Sequence, residues 1–231
     1  MKFKYLGKSY NRPDAISKVT GKAIYLDDIR IPGMLHAAIL RPEYAHAEIV
    51  KIDTTEAEKM PGVVKVVTGK GCTYHYGDNI KDLVPMAIDK VRYIGEPVAA
   101  VIADTLPNAE AALEKINVEY KPLPVYVDAR DAMKKDAVLI HEENGKYWHL
   151  PTLKPTPGTN IAHTYHLKKG AGVDGFKDAE VIVEAEFNYP HGSCAAIETH
   201  GSIVWFKEYS TIEVWSSSIC PFIIREDLAN S

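Results

Sequence analysis

The order of patterns along this chain predicts a mixed α+β protein, and three observations carry that expectation. The segment VRYIGEPVAAVIAD, a following amphipathic stretch and INVEY run strand, helix, strand over residues 91–120. A proline-rich, aperiodic stretch from Ala137 to about Thr159 then interrupts the regular pattern. Beyond it, alternating and short apolar runs predict strands, with one terminal helix.

Each element has its own local reason. DAISKVTG, Asp14 to Gly21, reads as a short helix in which Asp14 caps the free amides and Gly21 supplies a left-handed stop. MLHAAILR, Met34 to Arg41, is apolar and short enough for a buried strand, and RPEYAHAEIVKID turns and returns as a second strand ending near Ile52. Thr55 and Glu58 stand at capping-box spacing before a brief helix that Pro61 and Gly62 end. VVKVVT, Val63 to Thr68, is the next strand, and Gly69 to Asp89 reads as a long surface excursion. Gly-Glu-Pro at 95–97 kinks the chain between two apolar runs. Ala109, Ala112, Leu113 and Ile116 fall at i, i+3, i+4 and i+7, a helix entered after Thr105 and Pro107.

The second half is thinner. Val181, Val183, Ala185, Phe187 and Tyr189 alternate with Ile182, Glu184, Glu186 and Asn188, the period of a half-buried strand. Ile203 to Phe206 and Thr211 to Trp215, joined by Lys207 to Ser210, read as a hairpin, and a last helix begins near Pro221. The expected organisation is a domain with an N-terminal arm over 1–133, an extended linker over 134–160 and a second unit over 161–231. About three strands and one helix rarely bury enough apolar surface to offset chain entropy, so the second unit is expected to pack against something else.

Composition narrows the functional classes. With 46% hydrophobic and 25% charged residues the chain matches ordinary globular proteins, and a net charge of −4 without a basic block argues against a nucleic-acid partner. The N-terminus has charge but no apolar run after it, and no stretch is apolar for long enough to cross a bilayer. A cytoplasmic protein without a membrane partner is the expectation. Cys72, Cys194 and Cys220 are far apart and form no CxxC, which points to free thiols.

Candidate chemical groups are sparse. His163 and His166, with His191 and His200 nearby, invite a metal site but lack converging ligands, so no metal is expected. Cys72 and His75 could pair as nucleophile and base but have no orienting third group. Glu198 interrupts the apolar run AAIETHGSIVWF and reads as a structural hydrogen-bond acceptor rather than an acid catalyst, since no second acid stands at useful spacing. KKGAGVDG lacks the spacing of a phosphate loop.

Several segments taken in order resemble the large subunit of the molybdenum hydroxylases, the xanthine dehydrogenase and aldehyde oxidase family. They are RPDAISKVTGKAIYLDDI, MLHAAILRPEYAHAEIVKIDTTEAEKMPGVVKVVTG, VRYIGEPVAAVIAD followed by VEYKPLPV, and, past the linker, FKDAEVIVEAEFNYPHGSCAAIETHGSIVWF and TIEVWSSSICPFIIREDLA. The resemblance implies an α/β hammerhead domain from about Ser17 to Met133, followed by the strand-rich, incomplete start of the molybdenum-cofactor-binding domain. It implies an oxidoreductase complex that hydroxylates an aldehyde or N-heterocycle with water as the oxygen source. Molybdopterin would be bound in the assembled complex, with [2Fe–2S] centres and FAD on partner subunits and no cofactor held by this chain alone.

The resemblance also limits what can be carried over. The family's molybdenum-contacting loop, pterin-binding segments and glutamate base lie beyond Ser231, so no catalytic residue transfers, and the chain alone is expected to be inactive. Where the family shows a Ser-Thr-Gln run whose glutamine approaches the metal, this sequence has Ser217, Ser218 and Ile219. Ser218 and Ile219 are therefore the candidate cofactor-binding residues, although an isoleucine donates no hydrogen bond. The expected partners are a chain supplying the rest of the molybdenum subunit, an iron–sulfur subunit and an FAD subunit. The alternative is a truncated or degenerate, non-catalytic hammerhead protein acting as a structural, binding or assembly module.

Overall fold

A computed structural model describes residues 3–170, 172–190 and 192–230. In chain order the helices are α1 (Ala15–Val19), α2 (Thr55–Glu58), α3 (Leu106–Leu113), α4 (Ala129–Ala132) and α5 (Pro221–Asn230). The strands are β1 (His36–Leu40), β2 (Ala47–Asp53), β3 (Val63–Thr68), β4 (Lys90–Val91), β5 (Ala99–Ala103), β6 (Asn117–Pro122), β7 (Ser202–Lys207) and β8 (Thr211–Ser216). This is the mixed α+β class expected from the sequence. Two packed units divide the chain: Met34–Phe187 forms one, and the described part of Met1–Gly33 together with Asn188–Asn230 forms the other.

The larger unit holds two three-stranded antiparallel sheets, ordered β1-β5-β3 and β4-β2-β6. The Gly-Glu-Pro kink sends the chain from one sheet to the other, because β4 precedes it and β5 follows it. The second strand forms where it was expected, as β2, but it does not pair with β1. Leu40 O accepts the Val98 N–H at 3.0 Å and His46 O accepts the Leu123 N–H at 3.0 Å, so the ends of β1 and β2 are held by different neighbours. Periodicity identifies strands but not their partners.

Helix α3 covers the first sheet. Its Ala109 and Ala112 are fully buried with Ala38, Ala57, Val66, Val101 and Ala103, and small side chains on both surfaces let helix and sheet approach closely. Thr105 caps the helix by accepting the Asn108 N–H, with Pro107 in the first turn as expected. A second cluster, Ala87, Val91 and Val98, lies under β2 and β6 with Ile49, Ile52, Val118 and Tyr120.

Two expected caps are different in the structure. The residue preceding α2 is Thr54 rather than Thr55; its hydroxyl donates to Glu58 at 2.7 Å, while the Thr55 N–H goes to the Asp53 carboxylate. Hydrogen bonds from Thr55 and then Lys51 hold the Asp53 carboxyl down to about 2. Asp14 makes no cap on α1, because its carboxylate is taken by Arg12 and Lys18, which hold it well below the usual carboxylate range. Gly62, which follows α2, has φ +79, and a Cβ there would lie 2.3 Å from Asp104 Oδ1 and 2.5 Å from Asn108 Nδ2. Gly62→Ala is expected to lower stability by about 2 kcal/mol, measured as a shift in urea midpoint.

The stretch expected to be an extended linker carries a set of side-chain to backbone hydrogen bonds. Residues 134–160 contain no helix or strand, yet Asn160 Nδ2 donates to Ala132 O and Val138 O, both at 3.0 Å, and its Oδ1 accepts the Ile140 N–H at 2.8 Å. The buried Asn144 amide donates to the carbonyls of Thr156, Thr159 and Ile161 at 3.2, 2.8 and 3.0 Å. Side-chain amides thus satisfy backbone groups that a strand ladder would otherwise serve. The alternating stretch Val181–Tyr189 forms no strand, since alternation alone supplies no neighbour for the backbone ladder.

In the smaller unit β7 and β8 pair in register from Ser202↔Ser216 to Lys207↔Thr211, as expected for the hairpin. Trp205 and Trp215 stack on one face with ring centroids 6.5 Å apart. Among the described residues of Asn188–Asn230 none is buried, and α5 buries no residue.

Candidate functional site

Ser217, Ser218 and Ile219 follow β8 and lead into α5. The Ser217 hydroxyl accepts the Gly201 N–H at 2.9 Å and donates to Gly201 O at 3.3 Å, and the Ser217 N–H also reaches Gly201 O at 3.2 Å. The Ser218 hydroxyl accepts the Cys220 N–H at 3.0 Å, which leaves its own proton to donate outward. Ile219 is 98% exposed. The turn therefore presents one hydroxyl and one bare apolar side chain.

Glu198 is a hydrogen-bond acceptor in the structure, taking the Leu26 N–H on Oε1 at 3.1 Å. His163 Nδ1 accepts the Lys154 N–H at 3.0 Å, and His191 lies outside the described residues. Among the described residues no three His, Cys, Asp or Glu side chains gather as metal ligands. His75 lies beside Tyr147 with the two rings tilted by 38°, and its Nδ1 lies 3.1 Å from Thr73 O rather than on Cys72.

Sequence reasoning missed a charged cluster in the larger unit. Lys90, whose side chain is 5% exposed, donates to Leu139 O at 2.7 Å and pairs with Glu142. Arg92 donates to Ile140 O at 3.0 Å and Lys90 O at 2.9 Å. The buried Glu96 accepts the Arg92 N–H at 2.6 Å. Beside them a cavity of about 460 Å³ is lined by His75, Asp82, Asp89, Arg92, Glu142 and Tyr147 among others. The only sequence signal is a lysine directly preceding an apolar strand segment, which is no more than a weak sign of a buried charge.

This cluster sets a pH response. Burial first, then Arg92, pushes His141 below the ordinary imidazole value of 6.5, with Asp82 opposing. Protonation therefore favours the unfolded chain, and the stabilising contribution of neutral His141 is lost as pH falls below about 6.5. Burial raises the Glu96 carboxyl, which acts in the opposite sense: its contribution is present when protonated and lost as pH rises. The loss of stability between pH 7.5 and 5.5 is expected to shrink in His141→Asn, measured by urea midpoints. An unchanged loss would remove His141 from the account.

Residues 20–124 match the aldehyde oxidase and xanthine dehydrogenase a/b hammerhead domain, and residues 153–231 match the molybdopterin cofactor-binding domain. The chain is 38% identical over 194 residues to a probable xanthine dehydrogenase subunit from Bacillus subtilis, a match spanning 83% of this chain and 24% of that protein. The reconstituted CO dehydrogenase from Oligotropha carboxidovorans superposes with a TM-score of 0.82 at 29% identity, over 97% of this chain and 29% of its own. The aldehyde oxidoreductase from Desulfovibrio gigas gives 0.74 at 29% identity, over 92% and 24%. The chain belongs to the aldehyde oxidase and xanthine dehydrogenase family, the molybdenum hydroxylases. Within it, the chain covers the hammerhead domain and the first part of the molybdopterin cofactor-binding domain of a large subunit. It spans about a quarter of the length of these relatives.

The turn Ser217–Ile219 offers few groups to a molybdopterin. The Ser217 hydroxyl is committed to Gly201, Ser218 offers one donor, and Ile219 offers none. That donor set could line one edge of a bound pterin cofactor but could not surround it.

Proposed function

We propose that this chain forms the hammerhead and the opening of the cofactor domain in the molybdopterin subunit of a molybdenum hydroxylase. The complex would be an oxidoreductase that hydroxylates an aldehyde or an N-heterocycle such as a purine, with water as the oxygen source. Ser218 and Ile219 are the residues of this chain placed beside the cofactor. The rest of the molybdopterin-binding domain completes the smaller unit, and iron–sulfur and FAD subunits carry electrons away. The cytoplasm is the proposed compartment; among the described residues no helix is long and apolar enough to cross a membrane.

One observation carries this reading: the two matched domains stand in order, and the described part of the second contains no buried residue at Asn188–Asn230. A hairpin and one helix without a core need a covering surface. Ile219 favours a second reading, a non-catalytic hammerhead module. Co-production with a chain carrying the rest of a molybdopterin-binding domain separates the two. A stable complex containing molybdopterin is the expected result. A monodisperse chain that ignores that partner and carries no molybdopterin would favour the non-catalytic module.

A further inference from the structure

We propose that Glu198 and Leu26 form a latch that fixes the turn Ser217–Cys220, so that the N-terminal arm is a positioning element of the cofactor-facing unit. The functional meaning of the latch rests on the reading of Ser218 and Ile219 as cofactor-facing. Its geometry stands without that reading.

The contacts form a continuous series. Leu26–Asp28 is a single 3-10 turn closed by the Asp28 N–H on Tyr25 O at 3.0 Å, with the Tyr25 N–H held by the Asp28 carboxylate at 2.9 Å. The first N–H of such a turn has no partner within it. That of Leu26 is taken by Glu198. The Leu26 side chain then lies so close to Gly201 that a Cβ on Gly201 would come within 2.5 Å of Leu26 Cδ2. Gly201 is also held by the Ser217 hydroxyl, which accepts its N–H and donates to its carbonyl. One residue further on, Ser218 receives the Cys220 N–H, and α5 begins.

Glu198 acts here as an acceptor and not as a charge. The acidic side chains Asp27 and Asp28 share the turn it binds, and among the described residues no ion pair joins Glu198 to a cation. A glutamine carbonyl can accept the same N–H, whereas alanine cannot. Because Glu198 is exposed, neither substitution disturbs the hydrophobic clusters.

The test is amide hydrogen exchange on the full chain. In Glu198→Ala the Leu26, Gly201 and Cys220 amides should exchange about fivefold faster, with β5 amides such as Val101 unchanged. In Glu198→Gln the three rates should return to within about twofold of the parent. Leu26→Ala should speed Gly201 and Cys220 alike. Unchanged Gly201 and Cys220 rates in Glu198→Ala, or no rescue by glutamine, overturns the latch. Molybdopterin content of the assembled complex is measured separately: a complex without molybdopterin that keeps this exchange pattern refutes the proposed function and leaves the latch standing.

Discussion

Gly69→Ala is expected to destabilise the larger unit by about 3 kcal/mol, a large effect for one methyl group. Gly69 is buried where β3 ends, and a Cβ there would lie 2.4 Å from Ala87 O and 2.7 Å from Met86 O. Both obstacles are backbone, so no side chain can swing aside. Nor can Ala87 retreat easily, because its N–H donates to Pro97 O at 2.7 Å and its side chain is fully buried with Val91 and Val98. The glycine is thus the point where the end of the first sheet touches the cluster under the second. Urea unfolding followed by circular dichroism measures the effect. A loss below about 0.5 kcal/mol would mean that residues 86–87 yield and that the contact does not join the two clusters.

That contact shows which parts of the fold are legible in the sequence. Strands β3 and β6, helix α3 and the β7–β8 hairpin follow from local patterns, because apolar spacing, a threonine cap and a short polar loop are properties of neighbouring residues. Pairing is a different matter. β1 and β2 are consecutive but lie in different sheets, and the choice is made by distant β5 and β6. The excursion after Gly69 reads as surface loop, yet Ala87 within it is fully buried. The arm reads as part of 1–133, but Leu26 packs on Gly201 and lies in the unit of Asn188–Asn230.

The candidate site is legible to a similar degree. Glu198 reads as a structural acceptor from its apolar surroundings and accepts a backbone N–H. The pair of hydrogen bonds between the Ser217 hydroxyl and Gly201 has no signature, because serine is common in loops and its partner is sixteen residues away. The Asn144 amide, bonded to three carbonyls, is hidden for the same reason in a stretch that looks like linker. Such stretches lack periodicity because side-chain amides, rather than a ladder, hold the backbone.

The Lys90–Glu142 pair should respond asymmetrically to substitution, and in the direction opposite to exposure. Glu142 is the exposed partner, with 55% of its side chain accessible against 5% for Lys90. Removing Lys90 as Lys90→Met frees a carboxylate that water can solvate and that still has Arg92 Nη2 3.9 Å away. The lost bonds to Glu142 and Leu139 O should then cost about 1 kcal/mol. Removing Glu142 as Glu142→Ala leaves a buried ammonium with Leu139 O but without its counter-charge, at a cost of about 3 kcal/mol. Lys90→Met/Glu142→Ala should recover most of that loss, since the stranded charge is gone. A double-mutant cycle in urea, run at pH 7.5, measures all three. If Glu142→Ala proves the milder single substitution, water reaches Lys90 in solution. If the double substitution is simply additive, the pair does not fasten residues 139–142 to β4.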